Sequence, residues 1–183
     1  MPYETVMGIK QLFSITTGLV ILAAQLLAAD APKSFKVSDF TFTSPAGWEW
    51  VETTSSMRKA QLKVPGNDKN QSAEVVFFYF GEGNGGGTKA NVDRWIGQFQ
   101  NQSNSKVENA KVGKHNVTYV QVQGTYMSGM PGGPPRTAQP NSMLLGAILD
   151  SAQGNVFIKL TGPARLVKAS QDEFRKMVRS AVE

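Results

Sequence analysis

The stretch VVFFYFGEGNGGGTKANVDRW, residues 75–95, decides the fold because it joins two different patterns through a run of glycines. Its opening residues, up to Phe80, are apolar on both faces of an extended chain, which is typical of a central strand covered on each side. After the glycines, apolar residues recur at the spacing of one helix face: Val92, Trp95, Ile96 and Phe99. The stretch therefore predicts a central strand, a loop and a helix that begins near Thr88 or Lys89.

The loop contains the spacing GxGxxG of dinucleotide-binding loops, at Gly81, Gly83 and Gly86. That fingerprint requires a parallel βαβ unit and an acidic residue about 20 residues further on. Glu108 lies near that distance, but it falls in an alternating strand of a hairpin, and Glu82 in the loop would repel a pyrophosphate. The phosphate-loop motif does not follow the glycines either, so we expect no nucleotide and no other cofactor.

We interpret the glycines instead as a flexible joint between the strand and the helix. Loops of this kind hold functional groups on a rigid scaffold, and their backbone amides can contact a ligand. The candidate contact residues in the joint are Gly83, Asn84 and Gly86.

The rest of the chain is predicted to form further strands with short connections. These segments have alternating or continuous apolar patterns: a first hairpin from Phe40 to Val51 with its turn at 45–47, then Met57 to Val64, Val107 to Val112, Val117 to Tyr126, Met143 to Leu149, and Val156 to Leu160. Hairpin-length connections favour antiparallel pairing over alternating βα units. The predicted fold class is α+β, an antiparallel β-sheet flanked by two amphipathic helices.

Two segments near the C-terminal end complete this prediction. Residues 127–142 hold four prolines and three glycines, which favours a long irregular loop, and Arg136 in it is expected to be exposed. A long ordered loop is often functional, so Arg136 is a candidate contact residue. Ser170 and Glu173 have capping-box spacing before an apolar stripe, which predicts the second helix.

The first 29 residues have the pattern of a signal peptide. A short polar stretch with Lys10 precedes an almost uncharged apolar run over residues 12–27, and small residues follow it. Cleavage would leave one exported domain, residues 30–183, in the periplasm or outside the cell. An uncleaved segment would instead hold the domain at a membrane, and this alternative stays open.

Composition excludes several kinds of chemistry. The chain has no cysteine, so disulfides, thiolate metal sites and cysteine nucleophiles are excluded. His115 is the only histidine and stands next to a predicted turn, so neither a histidine-rich metal site nor a serine triad is expected. The net charge of +5 comes from scattered lysines and arginines, and nucleic acid is therefore not an expected partner.

Some residues stay candidates by type alone. Trp48 and Trp50 could stack on a ligand, although large aromatics are more often core, and Trp95 lies on the buried helix stripe. Arg58 and Arg94 could form salt bridges or hold an anion. Carboxylates could act as an acid and base pair, although no spacing selects one: Glu49, Glu52, Glu74, Glu82, Asp93, Glu108 and Asp150.

The sequence resembles the PsbP-like family of α/β/α sandwiches. The resemblance is carried by FTFTSPAGWEWV near the start of the domain, an apolar strand before a tryptophan-bearing helix, and VFIKLTGPARLVKASQDEFRKMVRSAV at the end. Other segments look closer to uncharacterised exported bacterial proteins. The resemblance implies a binding or assembly role and supplies no catalytic residues.

These observations lead to one functional hypothesis and two alternatives. We expect a non-enzymatic exported domain that binds a protein or a small ligand at the cell envelope. One alternative is a hydrolase that uses a carboxylate pair. The other is a structural envelope protein that has no ligand.

Overall fold

One antiparallel sheet forms the centre of the domain. The computed structural model describes residues 29–68, 71–129 and 136–183. The sheet strands are β1 (Ala29–Asp30), β4 (Glu49–Trp50), β5 (Arg58–Pro65), β6 (Ser72–Tyr79), β7 (Phe99–Val112), β8 (His115–Ser128), β9 (Thr137–Leu149) and β10 (Val156–Pro163). Their order is β1-β4-β5-β6-β10-β9-β8-β7, and each neighbouring pair is antiparallel. The predicted antiparallel α+β sheet is therefore confirmed.

The remaining elements are a separate hairpin and three helices. Strands β2 (Ser34–Val37) and β3 (Phe40–Thr43) pair with each other, and the helices are α1 (Thr88–Ile96), α2 (Ala164–Ala169) and α3 (Gln171–Ser180). Two helices were expected, and the short α2 is the addition within the described residues. None of the helices described in 29–68, 71–129 and 136–183 is long and apolar enough to cross a bilayer. The predicted signal peptide lies outside the described residues, apart from Ala29.

The main core lies between one sheet face and a layer made of α2, α3 and the β2–β3 hairpin. Strand alternation sends every second side chain of the central strands to this face: Leu62, Val75, Phe77, Ile158 and Leu160 are all fully buried. Phe77 is in ring contact with Phe35 and Phe42, at centroid distances of 5.0 and 4.9 Å. The hairpin is thus held to the sheet by aromatic packing.

Helix α1 covers part of the opposite sheet face. Val92 and Trp95 of α1 pack into a second cluster with Phe99, Val120, Val122, Leu144, Ile148 and Phe157. The ring of Trp95 lies directly over Gly146 of β9. As predicted, β6 stands in the middle of the sheet with apolar side chains on both faces, and Val75 to Tyr79 have only antiparallel neighbours.

Hydrogen bonds from the buried side-chain amide of Asn91 hold the glycine joint between β6 and α1. Nδ2 of Asn91 donates to the carbonyl oxygens of Gly85 and Gly87 at 2.8 and 3.1 Å, and its Oδ1 accepts from Arg94 Nη1 at 3.0 Å. Asn91 is 4% exposed. Because the strand before the joint is antiparallel to its neighbours, the joint does not belong to the parallel unit that a dinucleotide fingerprint needs.

The first predicted hairpin is wrong. Phe40–Thr43 pairs with Ser34–Val37, whereas Glu49–Trp50 pairs with β1 and β5 in the other sheet. The chain reverses at Ser38, which has a φ of 54°, so the turn that matters lies before Phe40. The Pro45–Gly47 segment instead carries the chain from one sheet to the other.

The irregular segment between β8 and β9 is much shorter than the long loop predicted at 127–142. β8 continues to Ser128 and β9 begins at Thr137, so both ends of the segment are paired strand, and residues 130–135 lie outside the described part. Pro140 is accommodated because the register shifts between Gly124 and Tyr126, and Asn141 has a φ of 52°. An irregularity of this kind admits a proline that a regular ladder would reject.

Two further details of the helices differ from prediction. Phe99 belongs to β7 rather than to α1, which ends at Ile96, although its ring stays in the same apolar cluster. The capping box is also wrong: the Ser170 hydroxyl donates to the Leu166 carbonyl at 3.0 Å, and no side chain caps α3. The hydroxyl is turned away from α3 because Leu166 lies in α2, directly before Ser170, and its carbonyl oxygen accepts the hydrogen bond.

Candidate functional site

Helix α1 leaves part of its sheet face uncovered, and this part forms an open cleft of about 670 Å³. Its floor comes from β6 and β10, and its sides come from β5 and the end of the β8–β9 hairpin. The residues that line this space include Met57, Arg58, Glu74, Val76, Phe78, Gln98, Tyr126, Lys159 and Thr161. We call this space the cleft.

Lys159 is the central residue of the cleft floor. Strand alternation sends its neighbours Ile158 and Leu160 into the main core, so Lys159 must face the other side of the sheet. Its Nζ donates to Gln98 Oε1 at 2.8 Å and lies 5.8 Å from the centre of the Tyr126 ring. Burial lowers the pKa of Lys159 to about 8, against an opposing effect of the Glu74 charge.

A hydrogen-bonded trio forms the wall on β5 and β6. Arg58 Nη1 donates to Glu74 Oε1 at 2.7 Å and to Gln61 Oε1 at 2.8 Å, and Gln61 Nε2 donates to the same Glu74 oxygen at 2.9 Å. These contacts hold the guanidinium and the carboxylate against the sheet. Both charges of the trio are therefore engaged with each other.

Apolar side chains complete the cleft. Val76 and Phe78 of β6 lie beside the trio, and Met57 at the rim is 49% exposed. Tyr126 contributes a ring on the far side, packed against Phe99 with 5.1 Å between ring centres, and burial raises the pKa of its hydroxyl. The cleft thus combines one lysine, one ion pair and an apolar surface, a composition typical of small-molecule sites.

The residues predicted to contact a ligand do not come together. Gly83, Asn84 and Gly86 are exposed on the joint, and none of them lines the cleft. Arg136 is exposed, as expected, next to a part of the hairpin that does line it. As contact residues these four stay predictions.

The two tryptophans of the first segment lie on the main core side of the sheet. Trp48 is 5% exposed, which confirms the core interpretation and leaves no indole face for a ligand. Trp50 is half-buried against Phe35, with 5.5 Å between ring centres, and its Nε1 donates to Glu52 Oε1 at 2.9 Å. Trp95 of α1 is 5% exposed on the side of the helix that packs on the sheet, as predicted.

The remaining titratable candidates are dispersed. Of the seven carboxylates considered, only Glu74 lines the cleft within the described residues. Most others have local partners: Glu49 with Lys63, Glu52 with Trp50, Asp93 with Lys89, Glu108 with Arg175, and Asp150 with Thr88. His115 is half-buried at the start of β8, where its ring meets Phe40 edge-on at 5.1 Å.

Sequence analysis missed Lys159, Gln98 and Tyr126. A signal for Lys159 is present in VFIKL, where one charge interrupts a strand that is otherwise apolar on both faces. A charge inside a central strand is unusual because burying it costs free energy. Gln98 and Tyr126 carry no comparable signal, since only the tertiary fold brings them to β10.

No protein-family model matches the sequence, and no curated protein matches it. Solved structures are similar to it, and two of them are the following. One is PA94, a protein of unknown function from Pseudomonas aeruginosa, with a TM-score of 0.49 and 11% identity, covering 85% of this chain and 97% of that chain. The other is cyanobacterial PsbP (CyanoP) from Synechocystis sp. PCC 6803, with a TM-score of 0.49 and 10% identity, covering 84% and 92%. A PsbP protein is among the structures to which this chain is similar.

Proposed function

We propose that this protein is an exported, non-enzymatic domain of the cell envelope that binds a small ligand in the cleft. The observation that carries the proposal is the uncovered part of the α1 face, where a core-like surface contains Lys159 and stays open to solvent. Apolar sheet faces are normally covered by another layer, so an open one with convergent polar groups favours a binding site. We also propose that the finer fold type is the PsbP-like α/β/α sandwich.

Export is the part of the proposal that rests on sequence alone. The apolar run at 12–27 and the small residues after it have signal-peptide character. Within the described residues, β1 begins at Ala29 and pairs with Trp50 and Glu49. Cleavage after Ala29 would remove one of the two residues of β1 and keep Asp30, which pairs with Glu49.

A hydrolase remains the alternative of another class, and the cleft gives it little support. Acid and base catalysis by carboxylates needs two such groups on opposite sides of the scissile bond. Among the described residues the cleft offers Glu74 alone, and Glu74 is held by Arg58 and Gln61. We therefore favour binding over hydrolysis.

A protein partner is the second candidate for the binding role, because β7 is an edge strand. One side of its 14 residues has no neighbouring strand in the described sheet, and most of them are exposed. Such an edge can accept a strand from another chain. Register shifts around Ser103 interrupt this edge, which shortens the stretch that a partner could pair with.

Filling the cleft is expected to abolish capture of the small ligand. Thr161 faces the cleft between Glu74 of β6 and Leu144 of β9, so Thr161→Trp places an indole in the space. The tagged domain is incubated with an envelope extract and washed, and the small molecules released on denaturation are identified by mass spectrometry. We expect wild type to release a specific compound and Thr161→Trp to release none above background.

Thr41→Trp is the matched control for this experiment. Thr41 is exposed on β3, which belongs to the layer on the other side of the sheet, so its substitution leaves the cleft open. Equal release from all three proteins, or no release above background from wild type, would contradict a small-ligand function.

A further inference from the structure

We propose that the cleft recognises a small organic monoanion with an apolar body, and that the anionic group lies against the ammonium of Lys159. This inference rests on the proposed function, because it names the class of ligand that the same cleft takes.

Among the residues that the structure describes, no carboxylate is in direct contact with the ammonium of Lys159. Of its three N–H donors one is used by Gln98 Oε1, and none of the carboxylates in the described residues lies within 4.0 Å of Nζ. A half-buried cation of this kind is costly unless it is paired. An anion entering the cleft would supply the missing partner and use the free donors.

The charges that line the cleft favour a single negative charge on the ligand. Among the described residues they are Arg58, Glu74 and Lys159, which sum to one positive charge when all are ionised. Arg58 is already bound to Glu74 and Gln61, so of these three Lys159 is the cation left for a ligand. Glu74 would repel a second negative charge, and a dianion such as a phosphate monoester at neutral pH is therefore disfavoured.

The rest of the cleft favours an apolar body on the same ligand. Val76, Phe78 and Tyr126 offer carbon surface around Lys159, and Met57 stands exposed at the rim. Burying this surface under a ligand would be favourable in proportion to the area covered. A hydrated inorganic ion would leave it exposed, which favours an organic anion such as an aryl or alkyl carboxylate.

The protonation of Lys159 sets the expected pH dependence. Burial lowers the pKa of this group to about 8; Glu74 opposes that effect, Arg58 adds to it, and Tyr126 faces the same space. Below about pH 8 the lysine is charged and able to hold the anion. Above it the lysine loses its proton, so the affinity for an anion falls as the pH rises.

The test compares a carboxylate with its neutral amide. 4-Phenylbutyrate and 4-phenylbutyramide are titrated into the ¹⁵N-labelled protein, and Kd is taken from amide shifts of residues that line the cleft. In wild type at pH 7 we expect the carboxylate to bind about tenfold more tightly than the amide, since a hydrogen bond to a charged group has that order of effect. Inorganic phosphate is the probe without an apolar body, and it should bind more weakly than the carboxylate.

Lys159→Met should remove this preference, bringing the two dissociation constants to within about twofold of each other. Lys168→Met is the matched control, because Lys168 is exposed on α2, which packs on the opposite sheet face, and it should keep the preference. A second readout needs no variant: in wild type the advantage of the carboxylate should decline between pH 7 and pH 10.

The outcomes separate the two proposals. If the acid and the amide bind wild type equally well, and neither binds Thr161→Trp, the anion inference is overturned but the cleft is still a ligand site. A preference for the acid that persists in Lys159→Met, or that does not change with pH, would also overturn it. If neither probe shifts resonances of the cleft, the inference fails, and the proposed function is then decided by the extract experiment.

Discussion

Truncating Phe77 to alanine is expected to lower the free energy of unfolding by about 3–5 kcal/mol. Phe77 is fully buried at the centre of β6, and its ring meets Phe35 and Phe42 of the separate hairpin. The substitution would leave a cavity between the sheet and that hairpin, which cannot close without moving both. Urea denaturation followed by circular dichroism measures the loss.

Phe80→Ala is the matched control, because Phe80 is the same residue type three positions along and is 39% exposed. We expect it to cost clearly less than Phe77→Ala, because more than a third of the Phe80 surface stays in water in the folded domain. Losses of similar size in the two variants would contradict the assignment of Phe77 to the centre of the core.

Replacing Gly146 with alanine is expected to cost about 1–3 kcal/mol through overpacking. A Cβ at this position would come within 2.6 Å of Trp95 Cε3, so the indole and α1 would have to shift away from β9. Gly146 is also the cross-strand neighbour of Lys159, so the same shift would disturb the end of the cleft nearest to α1. The measurement is the urea midpoint together with the fluorescence of the tryptophans.

Gly87→Ala controls for the general effect of removing a glycine near α1. Gly87 is the N-cap of the helix with a φ of −70°, and a Cβ there would meet no atom within 4 Å. We expect a cost of about 0.5 kcal/mol, because glycine is a better N-cap residue than alanine and no steric clash adds to this. If Gly146→Ala cost no more than Gly87→Ala, Trp95 could not lie on Gly146 as described.

Several strands are predictable from the sequence because their side chains alternate between the buried and the exposed face of the sheet. In β5, small and apolar residues alternate with polar ones, and Ala60, Leu62 and Val64 are buried as predicted. The hairpin that turns at Gly113 and the one that turns near Gly154 are also confirmed, because polar or glycine turns separate clear strand patterns. Local patterning with a period of two is enough for these elements.

The errors arise where tertiary pairing overrides a local pattern. Prolines at 131, 134, 135 and 140 favoured a loop, but pairing with β8 extends β9 through Pro140 by means of a register shift. Phe40 and Phe42 looked like half of a hairpin with Trp48, yet their partners precede them in the chain. No local signal separates these cases, because strand partners are chosen by the core that they share.

The cleft was the least predictable feature. It exists because α1 ends at Ile96 and covers only part of its sheet face, which is a consequence of helix length and direction rather than of any motif. The glycine spacing predicts contacts at the joint between β6 and α1, whereas Lys159, a single charge in an apolar strand, lies at the centre of the cleft floor on β10.

The most direct test of this account is an NMR titration of Lys159 itself, following the ¹³Cε resonance of the lysine side chain between pH 6 and pH 12. Assignment comes from the signal that is missing in Lys159→Met. We predict a pKa of about 8 in the free domain and an upward shift when 4-phenylbutyrate is bound, because the anion stabilises the ammonium. An ordinary lysine pKa of about 10.4 that does not change with ligand would contradict the claim that a half-buried, uncompensated lysine forms the centre of a binding site.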